Sequence, residues 1–163
     1  YQLGKMYNEL GEKEKSWYYF FKSYEFDNSR QEAFFEIIKK CRETNKFETG
    51  YNLYTMLKPI YEHDKPHKLF ILNDIYEHSL YSEMLIILYY LQKFDEANKI
   101  LKKLLMANIT NPTYIHMTNY NIKYFIPHID KNDWEFYGKF QRYSKKFLVP
   151  EELKKEVDKL FTE

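Results

Sequence analysis

The sequence predicts an all-α protein: antiparallel helix-hairpin repeats forming an α-solenoid, with about nine helices and no sheet. Three observations carry that prediction. A set of apolar, small and aromatic residues returns at a 34-residue spacing. Helix-start signals stand where this spacing needs them. No segment shows sustained period-2 alternation bounded by turns, the mark of a strand.

The first unit is defined by Leu3, Gly4, Tyr7, Gly11, Ser16, Phe20 and Ser23. Shifting each position by 34 gives Ile37, Ile38, Cys41, Asn45, Gly50, Tyr54 and Leu57, in register without a gap. A third set, Met84, Leu85, Leu88, Gln92, Ala97, Leu101 and Leu104, follows the second by 47 residues, 13 more than one repeat. These offsets are those of the tetratricopeptide pattern. A large and a small residue sit on the first helix, an aromatic one turn later, then a turn residue, then small–aromatic–small on the second helix. Two antiparallel helices with a short turn cannot bury both apolar faces alone, so successive pairs stack and share a core. Ser16, Gly50 and Ala97 are therefore expected where a second helix crosses its partner closely.

Taken in order, the first unit predicts helices near 1–10 and 13–26. Ser29 with Glu32 reads as a capping box opening a helix near 30–44. Phe47 opens the second helix of that pair, near 47–61, and residues 62–75 form an insert. The third unit predicts helices near 76–91 and 94–106, the latter opened by Phe94. Asn111-Pro112, an N-cap followed by proline in the first turn, starts a helix near 112–126. A helix near 133–146 follows. Val149-Pro150-Glu151-Glu152 opens the last one, near 150–161, with acidic residues at its positive end. The expected organisation is one helical domain: units 1–28 and 29–61, the insert, a unit 76–107 and C-terminal helices 108–163. Because the chain starts at Tyr1, it reads as a piece of a longer polypeptide.

Composition narrows the function classes. With 163 residues the chain suits one domain. Its 25 Lys and Arg against 24 Asp and Glu leave a net charge of +1, without the basic excess of a nucleic-acid or anionic-membrane binder. The late basic residues Lys139, Arg142, Lys145, Lys146, Lys154, Lys155 and Lys159 are diluted by Glu135, Glu151, Glu152, Glu156 and Asp158. One cysteine, Cys41, allows neither a disulfide framework nor a Cys-rich zinc site. The apolar run Met84–Leu91 has 8 residues, far short of the ~20 that span a bilayer. No secretory signal opens the chain, so a cytoplasmic location is expected. Seventeen Tyr and thirteen Phe fill positions where other helical repeats use Ala and Leu.

No catalytic constellation is visible. The insert gathers Glu62, His63, Asp64, His67 and Asp74, with Glu77 and His78 beyond. Pro66 between the two histidines argues against a shared helical face, and a solvated loop is the expected reading. Cys41 occupies a core position of the repeat and reads as an inert buried thiol. There is no Gly-x-Ser-x-Gly elbow, no phosphate-binding glycine loop and no Asp-x-Asp pair. No cofactor and no metal are expected in this segment.

The working surface of stacked helix pairs is usually concave. By repeat register the first helices project Lys5, Asn8 and Glu9, then Glu32, Phe35, Glu36, Lys39, Arg42 and Glu43, then Ser79, Ser82, Glu83, Ile86, Tyr89 and Tyr90 toward it. Mixed charges with Phe35, Tyr89 and Tyr90 suit a peptide or a glycan, since aromatic faces stack on sugar rings while polar neighbours bind hydroxyls. The same residues would otherwise solvate the inner wall or pack on the insert.

A family resemblance rests on particular runs. Ser29-Arg30-Gln31-Glu32-Ala33, then Leu69-Phe70-Ile71 and Asp74-Ile75-Tyr76 with Leu80 and Glu83, then Tyr89-Tyr90, Phe94-Asp95-Glu96-Ala97, Leu104-Leu105 and Asn121 follow one another in this order. Together they resemble the tetratricopeptide-like helical region that follows a family 2 glycosyltransferase domain in bacterial and giant-virus proteins. The resemblance covers about residues 1–125. It implies a parent polypeptide that transfers a sugar from a nucleotide donor, with this segment engaging the acceptor or a partner, or serving assembly. The partners it implies are the adjacent transferase domain and a protein or glycan acceptor, with no nucleic acid and no membrane span. The nucleotide-binding domain and its metal-binding carboxylates are absent from this segment, so no catalytic residue carries over. A free-standing adaptor that binds a peptide on its concave face is the competing expectation.

Overall fold

The computed structural model describes residues 1–61 and 71–162, with the backbone alone described for 57–61. Among them are nine α-helices and no strand. They fall into two compact units, residues 1–76 and 77–163, the division coming just after the insert. Unit 1 holds α1 (Gln2–Glu9), α2 (Lys13–Phe26), α3 (Glu32–Glu43) and α4 (Phe47–Tyr61). A π-helical turn, Ile75–Ser79, leads into α5 (Leu80–Tyr90). Unit 2 continues with α6 (Phe94–Leu104), α7 (Pro112–Phe125) ending in a 3-10 turn at Ile126–His128, α8 (Trp134–Lys146) and α9 (Glu151–Thr162).

The three hairpins α1–α2, α3–α4 and α5–α6 turn by one local device. Gly11, Asn45 and Gln92 each take a left-handed backbone conformation, with φ of 74°, 56° and 56°. After each, an amide reaches back over the helix end: Glu12 N to Tyr7 O at 2.9 Å, Lys46 N to Cys41 O at 2.8 Å and Lys93 N to Leu88 O at 2.9 Å. This six-to-one closure satisfies a carbonyl that the helix end would leave unbonded. The three turn residues are those that the repeat spacing aligns, so the register extends to the backbone torsions. Glycine adopts this conformation freely, whereas Asn and Gln hold it at a cost.

Packing follows the spacing. Ser16 and Ala97 are fully buried and Gly50 is buried as well. At the α1–α2 crossing the Ser16 hydroxyl donates to the Gly4 carbonyl at 2.9 Å. The two helices approach so closely that a Cβ on Gly4 would lie 2.6 Å from Phe20 Cδ1. In unit 1 the apolar core joins Phe20, Phe34, Ile37, Ile38 and Cys41, with α3 flanked by α2 and α4. Leu3, aligned with the buried Ile37 and Met84, is 51 % exposed. In unit 2 the layer of Met84, Leu85, Leu88, Leu101 and Leu104 is buried between α5 and α6, and Phe136, Phe140, Tyr143 and Val157 form the core of the last helices.

Helix starts show one agreement and one correction. Asn111 caps α7 through its side chain, which accepts from the Thr113 amide at 2.9 Å, with Pro112 in the first turn. The capping box at Ser29 and Glu32 does not form. Ser29 donates instead to Asp27 at 2.7 Å, and α3 starts at Glu32 with Gln31 at its cap. Glu32 is drawn elsewhere. Its carboxylate pairs with Arg30 at 3.0 Å and accepts from the Leu72 amide and the Tyr76 hydroxyl, each at 3.1 Å.

Candidate functional site

Unit 2 contains a candidate site lined by aromatic side chains. Helix α5 buries most of its circumference, and Ile86, Tyr89 and Tyr90, three and four residues apart, share a face that stays partly open. Across from it, α7 presents Met117, Tyr120, Asn121 and Tyr124 at the i, i+3, i+4, i+7 spacing of one helical face, with His116 and Phe125 at its margins. A cavity of about 410 Å³ lies between these two faces.

Tyr89 is the hub of its aromatic wall. Its ring stands edge-to-face with Tyr90, Phe94, Tyr124 and Phe125, at centroid distances of 5.9, 6.3, 5.8 and 5.7 Å. Such T-shaped pairs place positive ring edges on negative faces and hold the rings in fixed orientations. Tyr120 and Tyr124 join hydroxyl to hydroxyl at 2.7 Å, and that bond pushes the Tyr124 hydroxyl above its ordinary pKa. Tyr90, Tyr120 and Tyr124 remain exposed. Asn121 is only 8 % exposed, and its side-chain Nδ2 is itself buried with no hydrogen-bond partner among the described residues. Among the described residues no Asp, Glu, Lys or Arg lines the cavity.

Of the residues expected on a concave face, Ile86, Tyr89 and Tyr90 line this cavity, whereas Ser79, just before α5, is buried. The other two from α5 do not: Ser82 is buried and donates to the His78 carbonyl at 3.1 Å, and Glu83 is buried too. In unit 1, Phe35 is a core residue, with the Lys39 ammonium 6.0 Å from its ring centroid. Asn8 accepts a hydrogen bond from Lys40. Glu36 accepts from the Tyr1 hydroxyl at 3.5 Å, and burial pushes its carboxyl up from the ordinary value. Arg42 pairs with Glu43 at 3.4 Å. Lys5 and Glu32 border a second cavity of about 720 Å³ beside Arg30 and Leu72. Burial raises the Glu32 pKa, but Arg30 and backbone amides outweigh it and hold the carboxyl below its ordinary value.

The α7 half of the groove was not read from the sequence as a site. Its signal was present in the spacing of Met117, Tyr120, Asn121 and Tyr124, but it lies beyond the third repeat. The insert ligands Glu62, His63, Asp64 and His67 lie outside the described residues, as do Leu69 and Phe70 of the resemblance. Among the described residues no three of His, Cys, Asp and Glu come together as metal ligands would. Cys41 is buried, and that burial pushes its thiol pKa up, away from the reactive thiolate. Among the described residues no helix is long and apolar enough to cross a membrane. Comparison with family models, with curated proteins and with solved structures gives no match.

Proposed function

We propose that this chain is a non-catalytic, tetratricopeptide-like helical module that holds an acceptor or partner for a sugar-transferring enzyme of the glycosyltransferase type. The tyrosine-walled groove between α5 and α7 carries this reading. It offers a preformed, ring-lined cavity of ligand size and, among the described residues, no pair of carboxylates in its lining. A second observation supports treating the resemblance as one signature. The stretches Arg30-Gln31-Glu32 and Asp74-Ile75-Tyr76 bond to each other, Gln31 N donating to Tyr76 Oη at 3.0 Å and Tyr76 Oη to Glu32 at 3.1 Å.

The test is a transfer assay on the polypeptide that contains this chain. Tyr89→Ala with Tyr124→Ala is expected to lower transfer to acceptor about tenfold while leaving acceptor-independent hydrolysis of the sugar nucleotide unchanged. Unchanged transfer, or a reading frame with no transferase domain, defeats the proposal. A single peptide partner retained through the same groove would assign a free-standing adaptor instead.

A further inference from the structure

We infer that the groove between α5 and α7 takes a neutral saccharide, with a sugar ring lying on the tyrosine faces and a sugar oxygen taken by the Asn121 side-chain amide. This inference rests on the reading of the groove as the working surface and names the class of its ligand.

Charge decides the first half. A site for a phosphate, a uronic acid or an acidic peptide needs a fixed cation, and a site for a basic peptide needs a carboxylate. Among the described residues, the cavity wall has neither. His116 stands at its margin. A nucleotide donor is thereby disfavoured and an uncharged ligand favoured.

Shape and hydrogen bonding decide the second half. The rings of Tyr89, Tyr90, Tyr120 and Tyr124 give a wall that is apolar across its faces and polar at its rim, where the Tyr120 and Tyr124 hydroxyls meet. A pyranose has the complementary form. Its axial C–H bonds, slightly positive, lie on electron-rich ring faces while its hydroxyls point outward to the rim. The unpartnered Nδ2 of Asn121 distinguishes a sugar from an apolar helix. That donor is already buried without an acceptor, at a cost of about 1–3 kcal/mol that an apolar occupant would leave in place. A sugar hydroxyl or ring oxygen supplies the missing lone pair. The terminal torsion of an asparagine is broad and soft, so the amide can turn toward such an oxygen without leaving its rotamer well.

The experiment titrates the 163-residue chain with methyl glycosides and short oligomers of glucose, galactose, mannose and N-acetylglucosamine. Uronic-acid oligomers and an apolar amphipathic peptide run as the other arms. Tyrosine fluorescence and the NMR signals of the Asn121 side-chain amide are the readouts. Saturable binding of a neutral saccharide is expected, with the Asn121 amide shifted and the uronic-acid form bound at least about tenfold more weakly. Asn121→Leu is expected to lower that affinity about tenfold while its melting temperature stays level or rises, because an unpartnered amide is lost. A purely structural asparagine would show the reverse. Tyr18→Ala, in unit 1, should change neither readout. No saturable binding of any neutral sugar at millimolar concentration overturns the inference, as does binding that leaves the Asn121 amide unmoved. Saccharide binding by a chain whose parent carries no transferase domain would leave this inference standing and remove the function proposed above.

Discussion

Phe20 lies against Gly4 so tightly that the ring edge occupies the space in which any larger residue would place its Cβ, 2.6 Å away. The α1–α2 crossing is therefore set by a missing side chain on one helix and a large one on the other. Helix propensity alone would make Gly4→Ala stabilising by about 1 kcal/mol. The buried ring has little room to retreat, so a net destabilisation of about 1–3 kcal/mol is expected in thermal or urea melts. Adding Phe20→Leu to Gly4→Ala should recover part of the loss. A more stable single variant would show that the crossing yields.

The left-handed turns allow a test with two signs. Gln92→Gly removes the strain of a side-chain-bearing residue at φ 56° and should stabilise by about 1 kcal/mol. Gly11→Ala introduces that strain at φ 74° and should destabilise by a similar amount, about 1 kcal/mol. No atom lies near the Cβ that Gly11 would gain, so the effect is one of backbone alone. Equal and opposite shifts in the urea midpoint are the expected result. Shifts of the same sign would mean that the turns are not equivalent.

Acid should weaken both units through identifiable carboxylates. Asp133 caps α8 by accepting from the Phe136 amide at 2.9 Å, and it also accepts from Asn98 at 2.9 Å and Lys102 at 3.1 Å. Burial acts to raise its pKa, but these donors overcome it and hold the carboxyl below the ordinary value, as Arg30 and the backbone do for Glu32. A carboxyl depressed in the folded state contributes stability above its unfolded pKa and loses it as pH falls through the folded one. Stability is thus expected to hold near neutrality and to decline below about pH 4. Asp133→Asn should cost about 1–3 kcal/mol at pH 7 and flatten that decline. An unchanged acid limb in the variant would remove Asp133 from the account.

Cys41 should behave as a protected thiol. In native protein, labelling by a small thiol reagent is expected to proceed only through unfolding, and at full rate in denaturant. Labelling at the denatured rate under native conditions would contradict the burial of α3.

Most of the helical frame was legible because its determinants are local. The expected spans 13–26 and 47–61 coincide with α2 and α4, and Asn111-Pro112 marks the start of α7 as observed. What escaped depends on partners distant in sequence. Glu32 leaves its capping role because Leu72 and Tyr76, 40 and 44 residues away, supply donors. Phe35 turns into the core rather than onto an open face because α3 is flanked by α2 and α4. The π-helical turn at Ile75–Ser79 has no sequence pattern that announces it. Half of the groove was legible in Tyr89 and Tyr90. The other half sits on α7, past the point where repeat register assigns a face.

The corner shared by Gly11, Asn45 and Gln92 is written in main-chain atoms, and three different letters occupy it. Drift can therefore rewrite the spelling while the bend survives. Any common ancestry among such hairpins will persist in their dihedral angles after amino-acid likeness has faded.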